Sequence, residues 1–472
     1  MSHKESEASN KEGQSTEAIE LKLYNAHEKI HPREIKGRFQ TLRKWAVFIL
    51  LGLFYLLPWL DWGDQQAILF DLPNRRFHLF GLTLWPQDFI FLALLLIMAA
   101  FALFFFTALG GRLWCGYACP QTVWTEAFIW MEQITEGNRN QRIKLDKAPW
   151  TLKKFSKKFS KQCLWITFAL WTGFTFVGFF TPIKELADHV WHWTLGPWEM
   201  FWLFFYSFAT YGNAGFLREQ VCLYMCPYAR FQSAMFDNDT LIISYDGKRG
   251  EPRMRGKKRR EAAQPGDCID CTLCVQVCPT GIDIRDGLQY ECIACAACID
   301  ACDEVMEKSG MPKGLIRYTT ENSLQGGQNK ILRPRIFVYA GILLALVTGF
   351  TVSFINRNAI ELNVLHDRNS FYRVVDLNTI ENVYTLKVMN KGTTVAAYEL
   401  SATGLDGLEV VSDVDDGMFK ANPGELIAIP IKIRAPKKVA NQRIHNIELL
   451  VSDTLNPDKD NSKSIKYFGY NK

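Results

Sequence analysis

Hydrophobic residues in this chain of 472 residues gather in five long runs, Trp45 to Leu60, Phe89 to Leu109, Leu164 to Phe180, Trp198 to Phe216 and Ile336 to Ile355, separated by strongly polar segments. Each approaches the roughly 20 apolar residues that cross about 30 Å of hydrocarbon, so the pattern predicts membrane-spanning helices. The shorter runs are also compatible with buried core helices. Trp45, Trp59, Trp62, Trp85, Trp198 and Tyr211 stand at run ends, where amphipathic rings sit at a membrane interface. Lys and Arg crowd the segment before the first run and the 110–163 connection, whereas 61–88 and 181–197 hold only Arg75, Arg76 and Lys184. The positive-inside rule therefore places the first two segments in the cytoplasm, together with 217–335 and its Lys257-Lys258-Arg259-Arg260 run, and puts the chain after the fifth run outside.

Beyond the last run the period changes from helical to alternating. Tyr384-Thr-Leu-Lys-Val-Met, Leu426-Ile-Ala-Ile-Pro-Ile-Lys-Ile and Ile444-His-Asn-Ile-Glu-Leu-Leu-Val, broken by Asn-Lys-Gly, Asp-Gly and Asn-Pro-Gly turns, predict short strands and an antiparallel sandwich of about 100 residues. The expected organisation is a polar cytoplasmic N-terminus (1–40), a four-span membrane domain (41–235), a cytoplasmic ferredoxin-like domain (236–330), a fifth span (335–356) and an outer all-β immunoglobulin-like domain (357–472). No secretory signal is expected, because residues 1–30 are polar.

Charge narrows the class. With 54 Lys and Arg against 49 Asp and Glu, the net charge of +5 excludes a strongly basic nucleic-acid binder, and the basic runs read as topology and anionic-lipid contact. A mean hydropathy of −0.06 beside 13% aromatics reflects apolar spans averaged with polar domains.

The 13 cysteines are clustered, which speaks for metal ligation over disulfides. Cys268-x2-Cys271-x2-Cys274-x3-Cys278-Pro279 is followed by Cys292-x2-Cys295-x2-Cys298-x3-Cys302, the cadence of two [4Fe-4S] clusters. Three thiolates of each run grip one cube and the fourth reaches the other. Cys268, Cys271, Cys274 and Cys302 then form one ligand set, and Cys292, Cys295, Cys298 and Cys278 the second. Paired structural zinc sites are the alternative. Thr272 and Ala296 stand where bacterial ferredoxins often carry glycine, and no proline follows Cys302.

The second and fourth runs lead into matching motifs, Cys115-x3-Cys119-Pro120 and Cys222-x3-Cys226-Pro227, a weak internal repeat that suggests one shared site. If helical, each motif sets two sulfurs on one face, able to grip a soft ion such as Cu(I); a redox disulfide and plain structural cysteines are the alternatives. Cys163 reads as a buried small hydrophobe. Glu126 and Glu132 fit proton or cation sites or a solvated interfacial helix equally, His189 and His192 read as interfacial, and Met200, Met225 and Met235 as packing residues.

Trp114-Cys-Gly-Tyr-Ala-Cys-Pro-Gln-Thr-Val-Trp-Thr-Glu126, Val221-Cys-Leu-Tyr-Met-Cys-Pro-Tyr-Ala-Arg-Phe-Gln232, the ferredoxin segment Cys268 to Cys302 and Gly314-Leu-Ile-Arg-Tyr318 together closely resemble the FixG family, also called CcoG or RdxA, the cytochrome c oxidase accessory proteins. The likeness runs over about residues 35–470 and includes the strand-rich tail. It implies a multi-pass protein of the bacterial inner membrane that reduces Cu(II) to Cu(I) for assembly of the cbb-type oxidase. A cytoplasmic or quinol donor would supply electrons, and copper chaperones or oxidase subunits would receive the ion. By this resemblance the eight ferredoxin cysteines hold the clusters, and Cys115, Cys119, Cys222 and Cys226 handle copper, which is the substrate. A homo-oligomer remains compatible. Two rival functions are a quinol dehydrogenase, weakened because the outer domain has no cysteine and no haem-attachment motif, and a non-enzymatic copper chaperone or scaffold.

Overall fold

A computed structural model describes residues 29–472 except 64, 263, 329, 331, 359, 368–369, 393–394, 413–417, 455–459 and 470–472. Most of the polar N-terminal segment expected over 1–40 therefore lies outside the described residues. Short turns aside, the helices and strands follow in the order α1 (Arg38–Leu56), β1 (Ile68–Asp71), β2 (Arg76–Leu79), β3 (Leu82–Leu84), α2 (Phe89–Gly110), α3 (Leu113–Tyr117), α4 (Pro120–Glu136), α5 (Arg139–Lys147), α6 (Leu152–Val177), α7 (Ile183–Trp191), α8 (Pro197–Thr210), α9 (Pro227–Met235), β4 (Ile242–Tyr245), α10 (Ala297–Lys308), β5 (Ile316–Thr319) and α11 (Pro334–Ile355). Nine strands complete the chain: β6 (Ile360–His366), β7 (Arg373–Asp376), β8 (Thr379–Asn390), β9 (Ala396–Thr403), β10 (Glu409–Ser412), β11 (Met418–Ala421), β12 (Leu426–Pro436), β13 (Ile444–Asp453) and β14 (Asp460–Phe468).

Among the described residues, three helices are long and apolar enough to cross a membrane: α1 with its trailing turn, α2 with its leading turn, and α11. The other two expected spans take different forms. α6 begins at Leu152, well before the apolar run, and its first half carries Lys153, Lys154, Lys157, Lys158 and Lys161. α8 stops at Thr210 and continues as a π-helix over Tyr211–Leu217, so the fourth run is a short helix plus a widened turn.

Among the described residues, one compact unit comprises 29–57, Ala102–Gly178 and Leu186–Ala340. Here α6 buries Trp165, Ala169, Thr172 and Gly173, a stripe at helical spacing. A side chain at Gly173 would strike Ser207 and come within 2.5 Å of the Leu203 carbonyl oxygen, so only glycine lets α8 approach this closely. Cys163 falls off that stripe and is exposed, which corrects its reading as buried. The ferredoxin part pairs β4 antiparallel with β5, Ile242 opposite Thr319, and packs α10 on the pair around Ile243, Ile299, Met306 and Leu315. At the head of α1, the Phe39 and Gln40 amides donate to the buried Asp300 carboxylate at 3.2 and 2.7 Å, tying that helix to α10 between Cys298 and Cys302.

The second unit comprises Pro58–Phe101, Phe179–Glu185 and Gly341–Lys472. Its sandwich sets β10-β12-β8-β6, with β7 also on β8, against β11-β9-β13-β14. Alternate residues Tyr384, Leu386 and Val388 of β8 and Ile429, Ile431 and Ile433 of β12 point into the shared core with Ile447, Leu449 and Val451 of β13, as the period-2 pattern predicts. The buried hydroxyls of Tyr384 and Tyr467 donate to the carbonyls of Lys466 and Ile380 at 2.8 and 2.7 Å. Buried Asp88, just ahead of α2, accepts from Arg357 at 2.6 Å and from Lys391 at 3.3 Å, locking the sandwich to the N-terminal end of that helix. Trp85, expected in an interfacial belt, is buried instead, its ring filling the space beside Gly424.

Candidate iron-sulfur and thiol centre

Both ferredoxin loops use the same local device. Cys268, Cys271 and Cys274 lie on a loop entering a one-turn helix at Leu273, and Cys292, Cys295 and Cys298 on a loop entering α10. In each loop the residue after the second cysteine turns left-handed, Thr272 at φ 56° and Ala296 at φ 59°, which aims three thiols inward. These are the two positions where the sequence departs from glycine, so the αL turn is made by residues that favour it less.

The ferredoxin thiols line two hollows. Cys268, Cys271, Cys274 and Cys302 line a cavity of about 360 Å³ closed by Tyr245, Met306 and Leu315. Cys278, Cys292, Cys295 and Cys298 line another of about 340 Å³ walled by Ile243, Ile282 and Ile284, and Cys274 borders both. Four thiols around an apolar hollow are the donor set that [4Fe-4S] clusters require. Burial pushes the Cys274, Cys292 and Cys302 thiols up to about 12, so ligation at neutral pH displaces protons from them.

The two Cys-x3-Cys-Pro motifs are not single helical turns, contrary to the expectation of two sulfurs on one face. α3 carries Cys115 and ends at Tyr117; Cys119 is the N-cap of α4, with Pro120 at its first position. Likewise Cys222 lies in a π-helix over Val221–Met225, and Cys226 caps α9 with Pro227 first. Proline lacks the N–H that a helix start leaves spare, so it begins a new helix in each motif and breaks the i, i+4 geometry. Cys115, Cys119, Cys222 and Cys226 lie within electrostatic reach of one another. Burial, reinforced by Cys119, pushes Cys115 and Cys222 up to about 12. Among the described residues, no three His, Cys, Asp or Glu side chains converge on a single-ion site, here or at the ferredoxin loops.

The first motif rests directly on one ferredoxin loop. A Cβ on Gly116 would lie 2.8 Å from the Ala294 carbonyl oxygen and 2.9 Å from that of Ile293. Cys115 packs against Ile293, Cys295 and Ala297, and its thiol donates to Gln232 Oε1 at 3.2 Å. Arg112 clamps the assembly: it donates to the carbonyls of Tyr290 and Cys292, the latter at 3.1 Å, and to Ala229 O and Ser233 Oγ of α9 at 2.8 and 2.6 Å. The Tyr318 hydroxyl donates to Ala294 O at 2.8 Å and meets Tyr117 at 3.3 Å. A further cavity of about 480 Å³ joins Cys222 to Pro279, Thr280 and Ile293, with Arg218 and Glu219 in its wall. The cavity lined by Cys278, Cys292, Cys295 and Cys298 therefore adjoins both motifs.

Sequence reasoning missed a buried ionic cluster beside this site. Glu132 is fully buried, which overturns the solvated-helix reading for it. It accepts from Lys29 at 2.7 Å, Arg218 at 2.8 Å and Arg142 at 3.4 Å. Burial would raise its carboxyl, but Arg218 and Lys29 outweigh that and hold it well below the ordinary carboxylate range. Glu126 is partly exposed and paired to Arg43 at 2.8 Å. The excess of Lys and Arg over 110–163 was the available signal, although nothing local says which carboxylate they enclose. His189 and His192 stay apart from the cysteines, facing Glu199 and Asp188 at 3.3 and 3.1 Å, and Met200 and Met225 are exposed.

Known proteins with the same features can now be set beside this geometry. A family model described as a 4Fe-4S dicluster domain matches residues 217–321, a 4Fe-4S binding domain matches 91–140, and the IG-like fold at the C-terminus of FixG matches 350–469. The nitrogen fixation protein FixG of Rhizobium meliloti (strain 1021) is 36% identical over 93% of this chain and 92% of its own length. Protein RdxB of Cereibacter sphaeroides is 40% identical over 86% of this chain and 87% of its own. Protein RdxA of the same organism is 36% identical over 94% and 97%. The crystal structure of a FixG-related protein from Vibrio parahaemolyticus matches 24% of this chain and 98% of its own at 26% identity, with a TM-score of 0.22.

Proposed function

The chain belongs to the FixG/RdxA family, and from that premise we propose that it is a cupric reductase of the bacterial inner membrane, supplying Cu(I) for assembly of the cbb-type haem-copper oxidase. Iron-sulfur electron transfer is the chemistry its matched domains carry. Cys268, Cys271, Cys274 and Cys302 would hold one [4Fe-4S] cluster and Cys278, Cys292, Cys295 and Cys298 the other, and clusters so held would supply one-electron transfer. The observation that carries the reading is the seat of Gly116 on the Ile293 and Ala294 carbonyls, which presses a thiol-bearing motif against one cluster loop.

Cys115, Cys119, Cys222 and Cys226 receive the copper substrate. Thiolates favour Cu(I) over Cu(II), so the gain of an electron tightens the ion's hold on these sulfurs. Gln232 orients the Cys115 thiol, and the Gln121 and Thr122 amides at the start of α4 offset part of the burial that raises the Cys119 thiol. Arg112 keeps the cluster loop and α9 in register with the motif. In the membrane, α6 and α8 with its π-helix join the three long apolar helices as five spans, with the ferredoxin domain in the cytoplasm and the sandwich outside. Chaperones or oxidase subunits then take the reduced ion.

The test uses anaerobic, chemically reduced full-length protein to which Cu(II) is added while cluster absorbance is followed and Cu(I) is trapped by a chromogenic chelator. Cluster reoxidation matched one for one by Cu(I) is expected. Reduced clusters that ignore copper overturn the proposal and favour a quinol dehydrogenase or a scaffold.

A further inference from the structure

The two cluster cavities have different surroundings. The one lined by Cys278, Cys292, Cys295 and Cys298 is covered by α3 and the Arg112 clamp. The first ligand of the other, Cys268, is instead wrapped by the segment 247–261. Cys268 N donates to Gly250 O at 3.3 Å, Met254 N to Cys268 O at 3.4 Å, and Arg259 to Gly266 O and Cys268 O at 2.5 and 3.4 Å. Arg249 anchors the same wrap through the Lys313 carbonyl and the Asp267 carboxylate. These bonds hold the segment against the ferredoxin fold, and they leave Lys248, Arg253, Arg255, Lys257, Lys258 and Arg260 exposed. Within the segment eight Lys and Arg stand against Glu251 and Glu261, which pair with Arg253 at 2.9 Å and Lys257 at 3.5 Å, so its net charge is 8 − 2 = +6, and the adjoining Asp246 and Asp267 pair with Arg317 and Arg249. The charge on this face is therefore strongly positive and is hydrogen-bonded directly to the backbone of a cluster ligand.

From this juxtaposition we infer that the basic segment 247–261 is the docking surface for an acidic, soluble one-electron carrier protein, and that electrons enter at the Cys268, Cys271, Cys274 and Cys302 cluster and leave at the other. The inference rests on the electron-transfer reading of the ferredoxin domain and gives its donor a chemical class. Each encounter moves one electron: the carrier is oxidised by one, the cluster is reduced by one, and no bond or proton is exchanged on this chain. Cys274 borders both cavities, so clusters held there would be neighbours, and Gly116 would mark the exit. Complementary charge speeds such encounters by about 10- to 1000-fold at low salt and loses its effect as ionic strength rises. A lipid surface is the other anionic partner a basic run could meet. The tie of this run to the cluster loop favours the carrier, because lipid contact needs no path to a redox centre.

The experiment uses the full-length holoprotein in nanodiscs of zwitterionic phosphatidylcholine. A photoreduced acidic flavodoxin serves as the donor probe and reduced methyl viologen as a small cationic control. Cluster reduction is followed by stopped-flow absorbance with no copper present, so the outcome is independent of whether copper is the acceptor. The variant Lys257→Glu/Lys258→Glu/Arg260→Glu alters exposed side chains only. Its second-order rate with flavodoxin should fall at least tenfold at low ionic strength and approach the wild-type rate at high salt, while its rate with methyl viologen does not fall. The variant Lys257→Arg/Lys258→Arg should keep the wild-type rate. A wild-type flavodoxin rate that ignores salt, or a triple variant that reacts as fast as wild type, overturns the inference. Loss of binding to phosphatidylglycerol vesicles with no change in flavodoxin rate also overturns it and assigns the segment to the membrane surface.

Discussion

Replacing Gly116 by alanine tests the contact on which the proposed electron delivery to the thiol motif depends. The new Cβ would stand 2.8 Å from Ala294 O and 2.9 Å from Ile293 O, whereas a carbon and a carbonyl oxygen ordinarily meet at about 3.3–3.6 Å. Either α3 or the loop must therefore retreat by about 0.5–0.8 Å. Overpacking of this kind costs about 1–3 kcal/mol. Alanine in place of a helical glycine returns up to about 1 kcal/mol, so the fold should survive with a net loss of about 0–3 kcal/mol. The effect should appear in electron transfer: tunnelling weakens exponentially with separation, and the retreat lengthens the step between the Cys292–Cys298 loop and Cys115. With iron and sulfide contents at wild-type values, Gly116→Ala should reoxidise its clusters with Cu(II) more slowly than wild type. Gly52→Ala, at a helical position with nothing within 4 Å of the added carbon, should match wild type. Full-speed copper reduction in Gly116→Ala, with clusters intact, would refute the argued path through this contact.

Three further outcomes follow from other parts of the molecule. Glu132→Gln leaves the fully buried Arg142 and the nearly buried Arg218 without their carboxylate and should cost about 3–5 kcal/mol, read as a lowered thermal midpoint of the membrane-embedded holoprotein. Because the folded carboxyl is held below its ordinary value, its stabilisation is complete above the unfolded value of about 4.3 and is lost only as pH falls toward the folded one. The difference between Glu132→Gln and wild type should thus be flat from about pH 5 to 8 and shrink below about pH 4; a difference that grows on acidification contradicts the sign. Asp88→Asn strips Arg357 and Lys391 of a shared buried partner and should loosen the sandwich, raising protease susceptibility near Arg357 without changing iron content.

Local spacing carried the cofactor reading because the ligands of a cube come from short loops. Two x2 gaps and a following x3 gap suffice to place Cys268, Cys271 and Cys274 around one hollow and send Cys278 to the next, and the cavities contain those sets. The sandwich was legible for a similar reason, since alternation on β8, β12 and β13 is a property of each strand alone. The misreadings came where a neighbour decided the conformation. Pro120 and Pro227 start new helices inside the motifs. Trp85 finds Gly424 far along the chain, and Cys163 misses the buried stripe of α6. Glu132 is surrounded by Lys29, Arg142 and Arg218, three cations drawn from three separate segments, and no window of sequence contains them together.

The contacts around Glu132 reach one of the thiol motifs through Arg218. Arg218, which pairs with Glu132, has a left-handed backbone at φ 44° and separates the π-helix Tyr211–Leu217 from the one that carries Cys222. A non-glycine residue held at such a φ costs about 1–3 kcal/mol and persists only when its surroundings over-determine it. The Glu132 carboxylate at 2.8 Å and the Gly215 carbonyl at 3.0 Å supply that restraint. The buried ionic cluster thereby fixes the turn that presents Cys222 to the cavity shared with Pro279, Thr280 and Ile293. On the opposite side, Arg112 fixes the turn that presents Cys115 to the same cluster loop. Two arginines, each engaged with backbone geometry, thus set the two halves of an internal repeat beside one ferredoxin loop. The repeat alone could only suggest that convergence, because the residues that enforce it lie outside both repeated motifs or differ between them.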